Sequence, residues 1–310
     1  MSSGKSGSAL AELSSQLAGA VEAAGSAVVA IHARKRIPSS GIVWRDGVIV
    51  SASHTVRRDD DIQVTLPTGE SVSATVAGRD AATDLVALRL TGAKPHVAAR
   101  AESDALRVGA LVLAVGRPGR AVSASFGIIS AVGEGWRTWQ GARIERVMRL
   151  DLAVYDGFSG GPLVSASGGV IGINNSALAR GTPMALPATA VDRVLTELLE
   201  RGHVRRAFIG IAVQPVELGA AVVKRHQLAR DTALVVMSVA EDAPADVAGL
   251  TVGDVLVEAN GQPLVSPTDL LDLLSSTPDG ASLELKHLRG GALKTVTVTP
   301  VDRGAAGARQ

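Results

Sequence analysis

Hydrophobic and polar positions change their spacing along the chain, and each change predicts a structural element. Four apolar residues near the start recur at three- and four-residue intervals: Leu10, Leu13, Leu17 and Val21. This spacing predicts an amphipathic helix, which we expect to pack against the protein rather than to bind a partner. A first apolar strand follows at residues 27–31. From about residue 27 to residue 187, short apolar segments alternate with Gly, Pro, Asp and Ser, a pattern typical of two antiparallel barrels.

A second helical pattern ends this β-rich region. Its apolar positions are Val191, Val194, Leu195, Leu198 and Leu199. The pattern begins after Pro187 and stops at Gly202, which predicts a closing helix and then a linker. Four parts are therefore expected: an N-terminal segment with the amphipathic helix (1–25), a mainly β domain (26–202), an α+β domain (203–303) and a flexible tail (304–310).

Composition narrows the possible functions. A chain of 310 residues, 46% of them hydrophobic, is long enough for two domains with separate cores. A net charge of +1, no sustained basic stretch and only 2% aromatic residues give no indication of nucleic-acid binding. The absence of cysteine excludes disulfides, thiol catalysis and cysteine-based zinc sites. We predict no metal and no cofactor.

The sequence predicts no transmembrane segment, because no stretch of about eighteen apolar residues occurs. The first residues also lack the contiguous apolar segment of a signal peptide. As written, the chain is expected to be cytoplasmic. It would be periplasmic or exported if a leader had been removed.

The segment Gly157-Phe158-Ser159-Gly160-Gly161 carries the strongest chemical signal. Glycines on both sides of a serine allow a tight turn that directs two backbone N–H groups at one point, as an oxyanion requires. Ser159 is therefore a candidate nucleophile. The nucleophile elbow of α/β-hydrolases has a similar sequence but requires a helix after the serine. The residues that follow predict two short strands instead.

A histidine and an aspartate upstream complete a candidate triad. An apolar strand runs into His54, and Asp84 precedes another buried strand. The chain order histidine, aspartate, serine is that of chymotrypsin-like enzymes. Ser159 would attack a carbonyl, His54 would take and return its proton, and Asp84 would hold the imidazole tautomer. Each residue alone has an ordinary structural explanation, but the conjunction favours catalysis.

Segments around these residues resemble the active-site blocks of HtrA-type, DegP-like serine proteases: 51–56, 83–88 and 157–163. The resemblance continues through residues 114–119, 126–131 and 170–174. Four later segments resemble the PDZ domain of that family: 206–211, 243–256, 260–264 and 288–291. The resemblance covers residues 26–303. It implies a mainly β fold, in which a trypsin-like double β-barrel protease domain is followed by an α+β PDZ domain.

The resemblance also implies a function. The family members are ATP-independent serine endopeptidases of protein quality control, which cleave unfolded or misfolded polypeptides through an acyl-enzyme intermediate and are regulated or targeted by the PDZ domain. A homotrimer or larger homo-oligomer is implied by the same analogy. The alternative is a non-catalytic PDZ adaptor or holdase on a protease scaffold. The complete set of His54, Asp84 and Ser159 argues against that alternative.

Further site residues follow from the resemblance. It places the oxyanion hole at Gly157, Phe158 and Ser159, and it forms the specificity pocket from Ala153, Val154 and Asn174. No acidic residue stands at the pocket floor, which implies a small or medium aliphatic substrate side chain. The family usually carries Asn where this chain has Phe158, so here burial of the ring would have to fix the loop.

PDZ domains add an extended peptide to a sheet edge and receive its terminal carboxylate on the N–H groups of a glycine-containing loop. The matching loop is Phe208, Ile209, Gly210 and Ile211. A predicted helix over residues 267–276 carries Leu270 and Leu274, which would form the opposite wall of the groove. Both leucines could equally be simple core residues. We expect C-terminal peptides to bind in this groove.

Overall fold

The structure, a computed structural model, describes residues 4–35, 37–101, 107–137, 143–178 and 182–303. The chain divides into two compact units, Met1–Val204 and Arg205–Gln310. Among the described helices, none is both long and apolar enough to cross a membrane.

The first half of unit one is a closed six-stranded barrel. Its strands are β1 (Val28–His32), β2 (Ser39–Arg45), β3 (Val48–Ala52), β4 (Ile62–Thr65), β5 (Ser71–Asp80) and β6 (Leu85–Leu90). They are ordered β1-β2-β3-β6-β5-β4, and antiparallel pairing of β1 with β4 closes the barrel. Fully buried aliphatic residues such as Ile31, Ile49 and Leu88 fill the interior, as the low aromatic content predicts.

A second closed barrel follows in the order β10-β11-β12-β9-β8-β7. Its strands are β7 (Leu111–Gly116), β8 (Ser123–Arg137), β9 (Arg143–Asp151), β10 (Pro162–Ser165), β11 (Val170–Asn175) and β12 (Met184–Pro187). Buried residues that include Ile129, Met148 and Leu163 form its core. The predicted pair of barrels is confirmed. The residues after Ser159 form β10 and β11, so the serine has no helix behind it and the elbow interpretation is wrong.

Two helices flank the barrels. Helix α1 (Gly4–Gly25) buries Ala20 and Ala24 against residues of β1, β7 and β10, and Leu17 and Val21 pack beside them. Leu10 is 69% exposed, so the packing stripe covers only the C-terminal half of the predicted pattern. Helix α2 (Ala188–Arg201) buries the predicted apolar face. It ends at Gly202, whose left-handed φ of 79° permits a hydrogen bond from its N–H to the Leu198 carbonyl.

Unit two contains a main antiparallel sheet and a smaller two-stranded sheet. Its elements are β13 (Ala207–Phe208), β14 (Ile211–Glu217), α3 (Ala220–His226), β15 (Thr232–Val239), α4 (Pro244–Val247), β16 (Val255–Ala259), β17 (Gln262–Pro263), α5 (Pro267–Ser276), β18 (Leu283–Arg289), β19 (Ala292–Val298) and β20 (Val301–Asp302). The main sheet is ordered β14-β15-β16-β18-β19, with β17 beside β16, and β13 pairs with β20. Strand β14 therefore lies at the sheet edge. Helix α5 begins with a capping box between Ser266 and Asp269.

Candidate active site

His54 lies in a short 3-10 helix, Ser53–Thr55, directly after β3. Ala52, the last residue of β3, pairs with Leu85, the first residue of β6. This pairing brings the segment after β3, which contains His54, next to Asp84. His54 Nδ1 lies 2.5 Å from Asp84 Oδ2, and the His54 backbone N–H donates to Asp84 Oδ1 over 2.7 Å. The Nδ1 contact leaves Nε2 as the ring nitrogen that can accept a proton from a nucleophile.

Asp84 is held on its backbone and on its side chain. It has a φ of 56°, in the left-handed region that residues other than glycine seldom adopt. Its carbonyl accepts a hydrogen bond from Ser53 N–H over 2.9 Å. Asp84 is buried, and its carboxylate also accepts a bond from Asn175 Nδ2 over 2.8 Å. A buried carboxylate needs such donors, so Asn175 both satisfies and orients Asp84.

The turn around Ser159 depends on glycine. Gly157 and Gly160 have φ values of 89° and 87°, and a Cβ at Gly160 would collide with Ser51 Oγ and the Ser40 carbonyl. Within the described chain, the N–H groups of Gly157 and Ser159 have no hydrogen-bond acceptor. Two free N–H groups on either side of one residue form the arrangement that binds an oxyanion.

Phe158 has a different role from its neighbours. Its N–H donates to the Tyr155 carbonyl over 2.9 Å and so is not available to an oxyanion. Its ring is 99% buried and lies edge-to-face with the Tyr155 ring at 5.4 Å. A Cβ at Gly116 would lie 2.8 Å from this ring, which shows how closely the ring packs on β7. The ring is therefore an apolar anchor for the loop.

A polar contact holds the same loop from the first barrel. Ser40 Oγ donates to the Gly157 carbonyl over 2.6 Å and accepts a bond from Arg117 N–H over 2.7 Å. With its carbonyl fixed on Ser40, Gly157 keeps the orientation of its peptide plane. Sequence reasoning could not find Ser40, because the contact joins residues that are 117 positions apart.

The Ser159 hydroxyl is 2.8 Å from Ser176 Oγ. In the described part of the chain, no hydrogen bond joins it to His54. Ser159 itself is 5% exposed. The three predicted triad residues thus lie at strand ends of both barrels. Among the described hydrogen bonds of the predicted triad, one joins His54 to Asp84 and none joins His54 to Ser159.

The residues predicted for the specificity pocket occupy different positions. Ala153 and Val154 lie between β9 and Gly157, with Ala153 exposed and Val154 half-buried. Asn174 is fully buried in β11, where its Nδ2 donates to the Pro162 carbonyl over 2.7 Å and its Oδ1 has no partner among the described residues. Their role in substrate selection stays a prediction. No group of three or more potential metal ligands occurs among the described residues.

In unit two, the predicted carboxylate loop connects β13 to the edge strand β14. Gly210 has a φ of 85°, and a Cβ there would collide with Ala243. The carbonyls of Ile209 and Gly210 accept bonds from Ala245 and Ala240 N–H. Their own N–H groups have no acceptor in the described chain.

The predicted wall of the PDZ groove is less exposed than the loop. Leu270 and Leu274 are 4% and 5% exposed and belong to the core of unit two. Phe208 is half-buried in β13, and Ile211 begins β14. The packing interpretation of the two leucines therefore holds, and their contact with a peptide stays a prediction.

Known proteins resemble both units. Residues 39–173 match the family of trypsin-like peptidase domains, and residues 207–299 match the PDZ domain family. A protein of Pseudomonas savastanoi named "Probable periplasmic serine endoprotease DegP-like" is 34% identical over 267 residues, or 84% of this chain and 55% of that protein. A protein of the same name from Brucella suis is 32% identical over 291 residues, 90% of this chain and 56% of that protein. The chain spans about half the length of these relatives.

Solved structures of two proteases have a fold similar to that of this chain. The serine endoprotease from Yersinia pestis has a TM-score of 0.75 at 27% identity, covering 92% of this chain and 97% of that one. The HtrA-type protease AlgW with tripeptide has a TM-score of 0.71 at 29% identity, covering 93% of this chain and 97% of that one. With both domains matched in order, the chain belongs to the HtrA/DegP-type trypsin-fold serine proteases that carry a PDZ domain.

Proposed function

We propose that this chain is an ATP-independent serine endopeptidase that cleaves unfolded or damaged polypeptides. The observation that supports the proposal is the His54–Asp84 hydrogen bond, together with the N–H groups of Gly157 and Ser159, which have no acceptor among the described residues. A general base and an oxyanion hole at the same nucleophile are the requirements of acyl transfer.

In the proposed reaction, Ser159 Oγ attacks the substrate carbonyl carbon while His54 Nε2 takes the hydroxyl proton. The imidazolium is stabilised by Asp84, which keeps the proton on Nδ1. The oxyanion accepts hydrogen bonds from Gly157 and Ser159 N–H. His54 then gives its proton to the leaving amine as the C–N bond breaks. Water, deprotonated by His54, cleaves the acyl-enzyme ester and restores Ser159.

The PDZ unit is proposed to bind C-terminal peptides of substrates or regulators. A peptide would add to the edge strand β14, and its carboxylate would accept bonds from Ile209 and Gly210 N–H. Such binding would regulate or target the protease. Leu270 and Leu274 would contribute the helix wall of this groove.

Three finer features belong to the same proposal. The specificity pocket, with Ala153 and Val154 and no acidic residue, would accept small or medium aliphatic side chains. The relatives' names favour the periplasm and give no support to the cytoplasmic expectation. Assembly as a homotrimer follows from family analogy alone.

The proposal is tested with Ser159→Ala. Loss of the nucleophile should lower the rate of casein cleavage by about 10⁶-fold, because the triad acts as a unit. His54→Ala should be nearly as damaging, and the double variant little worse than either. Circular dichroism should show an unchanged fold. Undiminished cleavage by Ser159→Ala would refute the proposal.

The alternative, a non-catalytic PDZ adaptor, predicts a different result for the wild-type chain. Such a chain would bind peptides but would neither cleave casein nor react with a fluorophosphonate.

A further inference from the structure

Ser176, the first residue after β11, contacts the proposed nucleophile. Its Oγ lies 2.8 Å from Ser159 Oγ, a normal length for an O–H···O hydrogen bond. No other hydrogen bond of the Ser159 hydroxyl occurs within the described residues. The proposed reaction does not use Ser176, and the sequence pattern gave no reason to select it.

We propose that Ser176 is a positioning residue that keeps Ser159 in a resting orientation, which the nucleophile must leave before His54 can take its proton. This inference rests on the proposed function, because it concerns the reactivity of Ser159 in that reaction. It assigns to Ser176 a restraining role and not a part in bond making.

The chemistry of a hydroxyl pair supports restraint in both possible orientations. A serine hydroxyl has one proton and two lone pairs. If Ser159 donates to Ser176, its proton does not point to His54 Nε2. If Ser176 donates to Ser159, it occupies a lone pair of the attacking oxygen and withdraws electron density from it. The first arrangement must break before His54 can take the proton, and the second lowers the nucleophilicity of Ser159 for as long as it persists.

The backbone around Ser176 is fixed, which makes the contact well defined. Asn175 Oδ1 accepts bonds from the N–H groups of Ala177 at 2.8 Å and Leu178 at 3.1 Å. Asn175 Nδ2 donates to Asp84 at 2.8 Å. Ser176 is therefore held between restrained neighbours and gives up little freedom to reach Ser159. Because Ser176 is exposed, removal of its hydroxyl leaves no buried cavity.

The test compares four variants of the full chain with the wild type by their second-order rate of fluorophosphonate labelling. In this reaction Ser159 Oγ bonds to phosphorus, fluoride leaves and the proton passes to His54. Ser176→Ala should label about fivefold faster than wild type, since a hydrogen bond of about 1 kcal/mol no longer opposes the attack. Ser176→Thr keeps a hydroxyl and should label more slowly than Ser176→Ala.

Ser167→Ala is the matched control. It removes a hydroxyl pair of similar length, Ser165–Ser167 at 2.9 Å, at the turn between β10 and β11. Its labelling rate should equal that of the wild type. The melting temperatures of all variants should agree within about 2 °C, so that a rate increase cannot reflect a change in stability.

Each result has one meaning. The inference is supported if Ser176→Ala is labelled faster than the wild type and also faster than Ser176→Thr. Equal or slower labelling of Ser176→Ala overturns it, and slower labelling would show that Ser176 assists the nucleophile. Ser159→Ala separates the two proposals: labelling that persists without Ser159 overturns the proposed function. Absence of labelling in both wild type and Ser176→Ala overturns both proposals.

Discussion

Replacement of Phe158 tests whether an apolar anchor holds the proposed oxyanion loop. The ring is 99% buried, against β7 and the Tyr155 ring. Truncation of a buried Phe to Ala costs about 3–5 kcal/mol through lost transfer free energy and the cavity left behind. For a unit of this size, each kcal/mol lowers the melting temperature by about 2–4 °C. Phe158→Ala should therefore lower the melting temperature of unit one by roughly 6–20 °C.

The loss of activity should exceed what this loss of stability explains. Without the ring, the peptide planes on either side of Phe158 lose a restraint, and the N–H groups of Gly157 and Ser159 are no longer held in the orientation proposed for oxyanion binding. Removal of one oxyanion donor lowers kcat by about 10²–10³-fold. We expect kcat/KM for a small peptide reporter to fall by about that factor at a temperature where the variant is fully folded. Phe158→Leu should retain more activity because it fills most of the space.

Ile129→Ala is the control for this experiment. Ile129 is fully buried in the core of the second barrel, and its truncation costs about 2–5 kcal/mol. It lies in β8 and is not part of the turn that carries Ser159. The two variants should lose similar stability but very different activity. If Phe158→Ala loses no more activity than Ile129→Ala, the ring is only a core residue and the anchoring argument is wrong.

Three further predictions concern other contacts. Asn175→Ala should lower kcat/KM by about 10- to 100-fold, since Asp84 loses a charge-assisted donor; an unchanged kcat/KM would remove Asn175 from the site. Burial lowers the pKa of His287, although the Asp254 carboxylate, 3.9 Å from the ring, acts to raise it. Urea unfolding should therefore show unit two losing stability as pH falls below about 6.5, and His287→Leu should lessen that loss. By calorimetry, a peptide with a free hydrophobic C-terminus should bind about 10- to 100-fold more tightly than its amide; equal affinities would exclude carboxylate capture.

The His287 prediction depends on the sign of the shift. A histidine whose pKa is lower in the folded than in the unfolded state binds protons more readily when unfolded, so acid favours unfolding. The imidazole is 4% exposed, and neither ring nitrogen has a hydrogen-bond partner within the described chain. Arg289 and Lys294 oppose its protonation. If the free energy of unfolding changes with pH equally in the wild type and in His287→Leu, this reasoning is wrong.

The sequence predicted those features that depend on residue type and local order. The glycines around Ser159, the strand before His54 and the strand after Asp84 all predict local conformations, and the structure has them. The two barrels followed from short apolar segments and frequent turn residues. The closing helix was correctly bounded, because Pro187 and Gly202 act on the backbone next to them.

Contacts between distant strands were beyond such reasoning. Ser40, Asn175 and Ser176 are ordinary polar residues in sequence, and their roles follow only from the register that brings β2 and β11 to the active-site loop. Leu10 is a different case. Its spacing correctly predicted a helix, but the spacing alone could not show that Leu10 is exposed. The buried position of Leu270 and Leu274 also required the packing of α5, because the same spacing suits a core face and a groove wall.

The proposed catalytic groups are held by contacts that cross between the two barrels of unit one. Ser40 of β2 fixes the Gly157 carbonyl on the second-barrel loop, and Asn175 of β11 fixes Asp84 next to β6 of the first barrel. Neither barrel alone can therefore align the base with the oxyanion donors. A small shift between the barrels would separate these groups while leaving both cores intact. Activity should accordingly be lost before unfolding on gentle heating, with the fluorophosphonate labelling rate falling at temperatures where circular dichroism is still unchanged. Coincident loss of labelling and of structure would show that the barrels move apart only when they unfold.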